Sequence, residues 1–195
     1  MKMRLAANIF SVLTHPVFHP LVMCCILLKA GFMLMIRPWP TILITAVSIV
    51  AVPMLLMFFL KKLRAMTSIT ADERSERTAP LIFMGIALFF TADFFSKTPF
   101  VIFSLYLYAM FWITVAAFVI NFFWKISLHA LGCGGFCTFL AVLTHQNEDF
   151  FPFLILALVF AGLIGSARLY LKQHDISQVF AGYAVGAVVT VVSVL

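Results

Sequence analysis

The sequence predicts an all-α fold: a polytopic transmembrane helix bundle of about six to seven spans, forming one integral membrane domain over residues 1–195. Three observations predict it. Only 10% of the residues are charged and 64% are hydrophobic, whereas a soluble domain carries roughly 25% charged residues. Mean hydropathy is +1.13. The apolar residues also fall into runs near the length a bilayer requires, separated by short polar segments. The net charge of +6 is no sign of a nucleic-acid partner, because in such a chain the placement of Lys and Arg decides topology. Four Cys, all inside apolar runs, fit buried thiols better than a disulfide framework.

Each element follows from the order of the chain. Residues 1–19, with Lys2, Arg4, His15 and His19 among apolar residues, read as an interfacial segment leading into the bilayer. His15-Pro16 and His19-Pro20 resemble a two-His ligand pair, but each Pro breaks the helix that would put both rings on one face. Leu21 to Ile36 is the first span and Thr41 to Leu60 the second, with a kink expected at Pro53. Arg37-Pro38-Trp39-Pro40 turns the chain between them, with Trp39 as an interfacial anchor. Lys61 to Pro80 is the longest polar stretch. Leu81 to Ser96 and Phe100 to Trp124 follow as spans, and Asp93 is expected to reach the interface. Leu131 to Thr144, Phe151 to Leu171 and Ile176 to Leu195 complete the set. Gly182 and Gly186 form a Gly-x-x-x-Gly pair, read as a packing face. His129, Cys133 and Cys137 recur every four residues; small buried packing groups explain them better than a metal site, which needs further ligands.

Three polar patches stand out. They lie after the second, fourth and sixth spans, so an even number of crossings separates each from the next, and all can meet at one membrane face. The first holds Arg74 and Arg77, three apart, which a helical turn would point the same way; taken alone, they are better explained by a solvated cytoplasmic loop paired with Asp72, Glu73 and Glu76. The second holds Lys125, Ser127 and His129. The third, Gly165 to Gly186, holds Arg168, Lys172, His174, Asp175 and Gln178. Ionisable groups at membrane depth are costly, so they usually line a cavity or a site.

The third patch resembles the third signature of the type-2 phosphatidic acid phosphatases, the membrane branch of the superfamily that includes the vanadium haloperoxidases. That signature reads Ser-Arg, five residues, His, three residues, Asp. Here Arg168 and His174 keep the spacing, Ser166-Ala167-Arg168 replaces Ser-Arg, and Gln178 stands at the Asp position. Ile126-Ser127-Leu128-His129 resembles the second signature, Pro-Ser-Gly-His, with Ser and His in place. Arg74 and Arg77 stand for the first signature, Lys, six residues, Arg-Pro; Thr70 holds the Lys position if Arg77 is the Arg, and Pro80 follows late. The resemblance marks residues 74–186 as a phosphatase-like core.

The resemblance implies a metal-independent membrane lipid-phosphate or lipid-diphosphate phosphatase that works through a phosphohistidine and uses no cofactor. His174 would be the nucleophile and His129 the acid for the leaving alkoxide. Arg168, Arg77, Arg74, Lys125 and Ser127 would bind phosphate, and Gln178 would orient His174. Arg suits this task because its fork matches two phosphate oxygens. Gln178 offers a hydrogen bond without charge. Asp175-Ile176-Ser177-Gln178 also fits a capping box opening the last helix. The implied partners are a membrane lipid phosphate and the bilayer, with no nucleic acid, in a bacterial inner membrane. The departures at Gln178 and Leu128 keep open a catalytically degenerate lipid-binding or lipid-transport protein on the same scaffold. Outside the candidate site, Lys2, Arg4, Lys61, Lys62 and Arg64 share the motif side, which leans the site towards the cytoplasm.

Overall fold

The protein is all-α and polytopic. The structure is a computed structural model, and it describes residues 2–31, 38–62 and 74–194. Among the described residues, seven helical stretches are long and apolar enough to cross a membrane, from Met3–Lys29 to Ile176–Val194, and no strand occurs. The chain is an integral membrane protein. Residues 32–37, with Arg37, and 63–73, with Thr70, Asp72 and Glu73, lie outside the described part.

The chain divides into two compact units. One holds Met1–His19 and Lys125–Leu195, the other Pro20–Trp124. In the second unit, helix α2 (His19–Lys29) is followed by α3 (Pro38–Thr45), a π-helical stretch (Ala46–Ala51) and α4 (Val52–Lys62). Proline has no N–H and its ring crowds the carbonyl four residues back, so the ladder must loosen ahead of Pro53. It does: the Val52 N–H bonds to the Val47 carbonyl, one residue further than in an α-helix. Helices α5 (Thr78–Ser96) and α6 (Val101–Asn121) form an antiparallel pair around the Lys97-Thr98-Pro99 turn. Phe95 packs against Phe100 and Phe103, with ring centroids 5.6 and 5.1 Å apart. Asp93 reaches the exposed end of α5 and pairs with Lys97 at 2.7 Å, one helical turn away.

In the first unit, α1 (Lys2–Leu13) packs on α8 (Phe151–Tyr170), and α7 (Leu128–Gln146) packs on both α8 and α9 (Ile176–Val194). The stretch expected to be interfacial thus holds a helix docked on a span. Phe10 stacks on Phe160 with centroids 6.1 Å apart. The chain breaks at His15, which is extended, and restarts as a 3-10 turn with Pro16 in its first position; α2 then opens with Pro20 in its first turn, where the missing N–H costs nothing. Polar side chains within spans bond to the carbonyl one turn back, as Thr114 does to Met110 and Thr190 to Gly186. That satisfies hydroxyls where lipid offers no partner.

Glycines set the closeness of α7 and α9. A Cβ at Gly186 would collide with the backbone at Leu131, and one at Gly134 with the backbone at Tyr183. A Cβ at Gly182 would lie 2.9 Å from Ala130 Cβ and from the Ser127 carbonyl. The Gly-x-x-x-Gly pair is therefore a packing face. Tyr183 closes the neighbouring seam by donating its hydroxyl to the Ala161 carbonyl at 2.5 Å.

Candidate active site

The antiparallel order of α7, α8 and α9 brings the start of α7, the end of α8 and the start of α9 to one end of the first unit. Four polar side chains are buried there: Ser127 at 0% exposure, His174 at 7%, and His129 and Arg168 at 8% each.

The turn between α8 and α9 comes from backbone chemistry. The Lys172 N–H bonds to the Leu169 carbonyl and the Gln173 N–H to the Arg168 carbonyl, a Schellman closure. It requires a left-handed residue, and Lys172 takes it with φ 55°, a conformation that suits glycine far better. Asp175 then opens α9. Its carboxylate accepts from the Gln178 N–H at 2.8 Å and from the Ser177 hydroxyl at 2.5 Å. These donors, the Ser177 hydroxyl first, hold the exposed Asp175 carboxyl below its usual range.

The second half of a capping box would send the Gln178 side chain back to the Asp175 N–H. Instead, Gln178 Oε1 lies 2.7 Å from His174 Nδ1. The amide oxygen can only accept, so Nδ1 carries the proton in this contact. In the neutral ring the Nε2 lone pair is then the one that can attack. Asp175 is the cap, and Gln178 is the group that meets His174.

Ser127 caps α7, its Oγ accepting from the Ala130 N–H at 3.4 Å. Its own N–H goes to the Gln178 carbonyl at 3.3 Å, which ties the start of α7 to the start of α9. One turn into α7, His129 Nε2 sits 3.0 Å from the Ser11 carbonyl and 3.4 Å from Ser11 Oγ. Arg168 Nη1 donates to the same Ser11 Oγ at 2.8 Å. A chain of contacts therefore runs from His174 through Gln178 and Ser127 to the first turn of α7, and from His129 through Ser11 to Arg168. Two helix N-termini and a guanidinium meet at this end, and each favours an anion.

Ser11 was not among the residues singled out from sequence, and His15 was weighed there only as half of a two-His ligand pair. His15 packs edge-on against His129, with centroids 4.9 Å apart.

The remaining candidates lie on other segments. Lys125 is half-buried in the loop before α7. Arg74 and Arg77 belong to the second unit, in a 3-10 turn ahead of α5. Arg77 is 5% exposed, and the Arg74 carbonyl accepts from Asn121 Nδ2 at 3.0 Å, which anchors that turn to the end of α6.

Comparison with family models, curated proteins and solved structures finds no match for this chain.

Among the described residues, no group of three or more His, Cys, Asp or Glu side chains is placed to hold a metal ion. His15 Nδ1 accepts from the Val17 N–H at 3.2 Å, and His19 leans on Phe136. Cys133 packs with Ala161, Ile164, Cys137 and Tyr183, so the Cys stripe serves packing.

Proposed function

We propose that the protein is a phosphatase acting on a membrane lipid phosphate or diphosphate in a bacterial inner membrane, as a divergent relative of the type-2 phosphatidic acid phosphatases. The observation that carries this reading is the pairing of His174 Nδ1 with Gln178 Oε1 at 2.7 Å, in the same unit end as buried Arg168 and His129.

His174 Nε2 attacks phosphorus, and the bond to the lipid oxygen breaks. Gln178 Oε1 keeps its hydrogen bond from the Nδ1–H of the ring as the ring becomes positive. The Arg168 guanidinium neutralises the phosphate oxygens, where charge gathers in the transition state. The negative charge of the bound phosphate favours a second proton on His129, which it gives to the leaving oxygen. Because its Nε2–H faces the Ser11 carbonyl, Nδ1–H is the proton it can give. Water then attacks the phosphohistidine, His129 takes a proton from it, the P–N bond breaks and phosphate leaves. Lys125 adds positive charge and Ser127 a hydroxyl.

The test is phosphate release by purified protein from phosphatidic acid, phosphatidylglycerol phosphate and polyprenyl diphosphate. His174→Ala and Arg168→Ala abolish release; a wild-type protein inert on all three substrates defeats the reading.

Gln178 favours one second reading, a catalytically degenerate lipid binder on the same scaffold. An uncharged acceptor holds the ring but stabilises its positive charge less than a carboxylate does. Binding of a phosphate analogue without turnover, unrelieved by Gln178→Asp, selects that reading.

A further inference from the structure

We infer that Ser11, on the N-terminal helix α1, is a positioning residue of the candidate site, presenting one acceptor to Arg168 and another to His129. The inference rests on the proposed phosphatase site.

Ser11 is 4% exposed and is held in place by the packing of α1 on α8, where Phe10 stacks on Phe160. Its two oxygens meet these partners unequally: Oγ lies nearest Arg168, with His129 Nε2 at 3.4 Å, and the carbonyl oxygen lies nearer His129. Oγ accepts from Arg168 Nη1 at 2.8 Å. The carbonyl oxygen lies 3.0 Å from His129 Nε2. A carbonyl has no proton to give, so Nε2 must be the donor, which fixes the tautomer of the neutral ring.

The consequences for the two partners differ. The hydroxyl sets where the guanidinium fork points, and so which of its N–H groups face an incoming phosphate. The carbonyl sets which ring nitrogen of His129 delivers a proton. Arg168 and His129 lie on different helices, and Ser11 couples them through a third. Removing the hydroxyl alone should disturb the anion clamp and leave the proton donor in place.

Ser11→Ala removes the hydroxyl and keeps the carbonyl. It should raise KM for the lipid phosphate and weaken orthovanadate binding about ten-fold, the low end for a lost hydrogen bond to a charged group. Ser11→Thr and Ser11→Val form a second pair. They have the same shape and differ only in the hydroxyl, so a packing penalty falls on both, and Thr should recover the affinity that Val loses. Equal KM and orthovanadate affinity for Thr and Val, or for Ala and wild type, overturns the inference and leaves the phosphatase reading standing. A wild-type protein that neither releases phosphate nor binds orthovanadate overturns both. A wild-type protein that binds orthovanadate without turnover removes the phosphatase reading alone, and the affinities of the Thr and Val variants still decide the role of Ser11.

Discussion

Arg168 donates to Ser11 Oγ across 2.8 Å although 157 positions separate them. The contact joins the last turn of α8 to a helix at the other end of the chain. It explains why Arg168 can be buried within a membrane-spanning stretch: at least one guanidinium edge meets an oxygen fixed by helix packing.

Gln178 is the residue most open to improvement. Gln178→Glu keeps the side-chain length that spans the 2.7 Å contact with His174 and adds the charge that stabilises an imidazolium. Turnover of a lipid phosphate should rise about ten-fold, because a charge-assisted hydrogen bond is roughly twice as strong as a neutral one. Gln178→Leu, which cannot accept, should lower turnover. Steady-state kcat for the two variants checks both directions.

Lys172 carries backbone strain. Its φ of 55° costs an L-residue roughly 1–2 kcal/mol, partly offset in glycine by the greater freedom of its unfolded chain. Lys172→Gly should therefore raise stability by up to about 1 kcal/mol. Denaturant unfolding in detergent measures it, and a loss of stability would show that the Lys side chain contributes more than the strain costs.

Asp175 makes stability depend on pH in the acid range. Hydrogen bonds from Ser177 and Gln178 lower its pKa in the folded protein. A depressed carboxyl contributes fully above its unfolded pKa and loses that contribution as pH falls through the lower folded value. Asp175→Asn should flatten the acid limb of a Tm-versus-pH curve and leave the neutral limb parallel to wild type. An unchanged acid limb would remove the cap from the account.

The α7–α9 seam should reject a single methyl group. Gly186→Ala directs a Cβ into the Leu131 backbone, which cannot swing aside as a side chain can. A loss of about 1–3 kcal/mol is expected from such overpacking. Gly162→Ala is the matched control, since nothing lies within 4 Å of its added Cβ. Equal unfolding curves for the two variants would contradict the close approach.

Some of this was legible in the residues alone. Some apolar runs gave their spans to within a few positions: Phe151 to Leu171 became Phe151–Tyr170, and Phe100 to Trp124 became Val101–Asn121, whereas the first span, expected from Leu21, begins at Met3. Gly182 and Gly186 announced a packing face, and Asp175 a cap. At Gln178, two roles could be read from one spacing, because a capping box and a His partner both need a side chain at that interval. Only the direction of the side chain separates them. Ser11 lay beyond reach of the motif search because its importance comes from α1 docking on α8, and no local pattern encodes which helix an apolar face will meet.

By itself, the sequence determined that this is an all-α membrane protein with polar residues confined to a few joints. Hydrophobic run length and the cost of bare backbone in lipid permit little else. The tertiary structure alone decided which joint residues touch. Contacts such as His174 with Gln178 and Arg168 with Ser11 depend on side-chain direction and helix neighbours. Those are set by close packing across the whole unit and not by spacing along the chain.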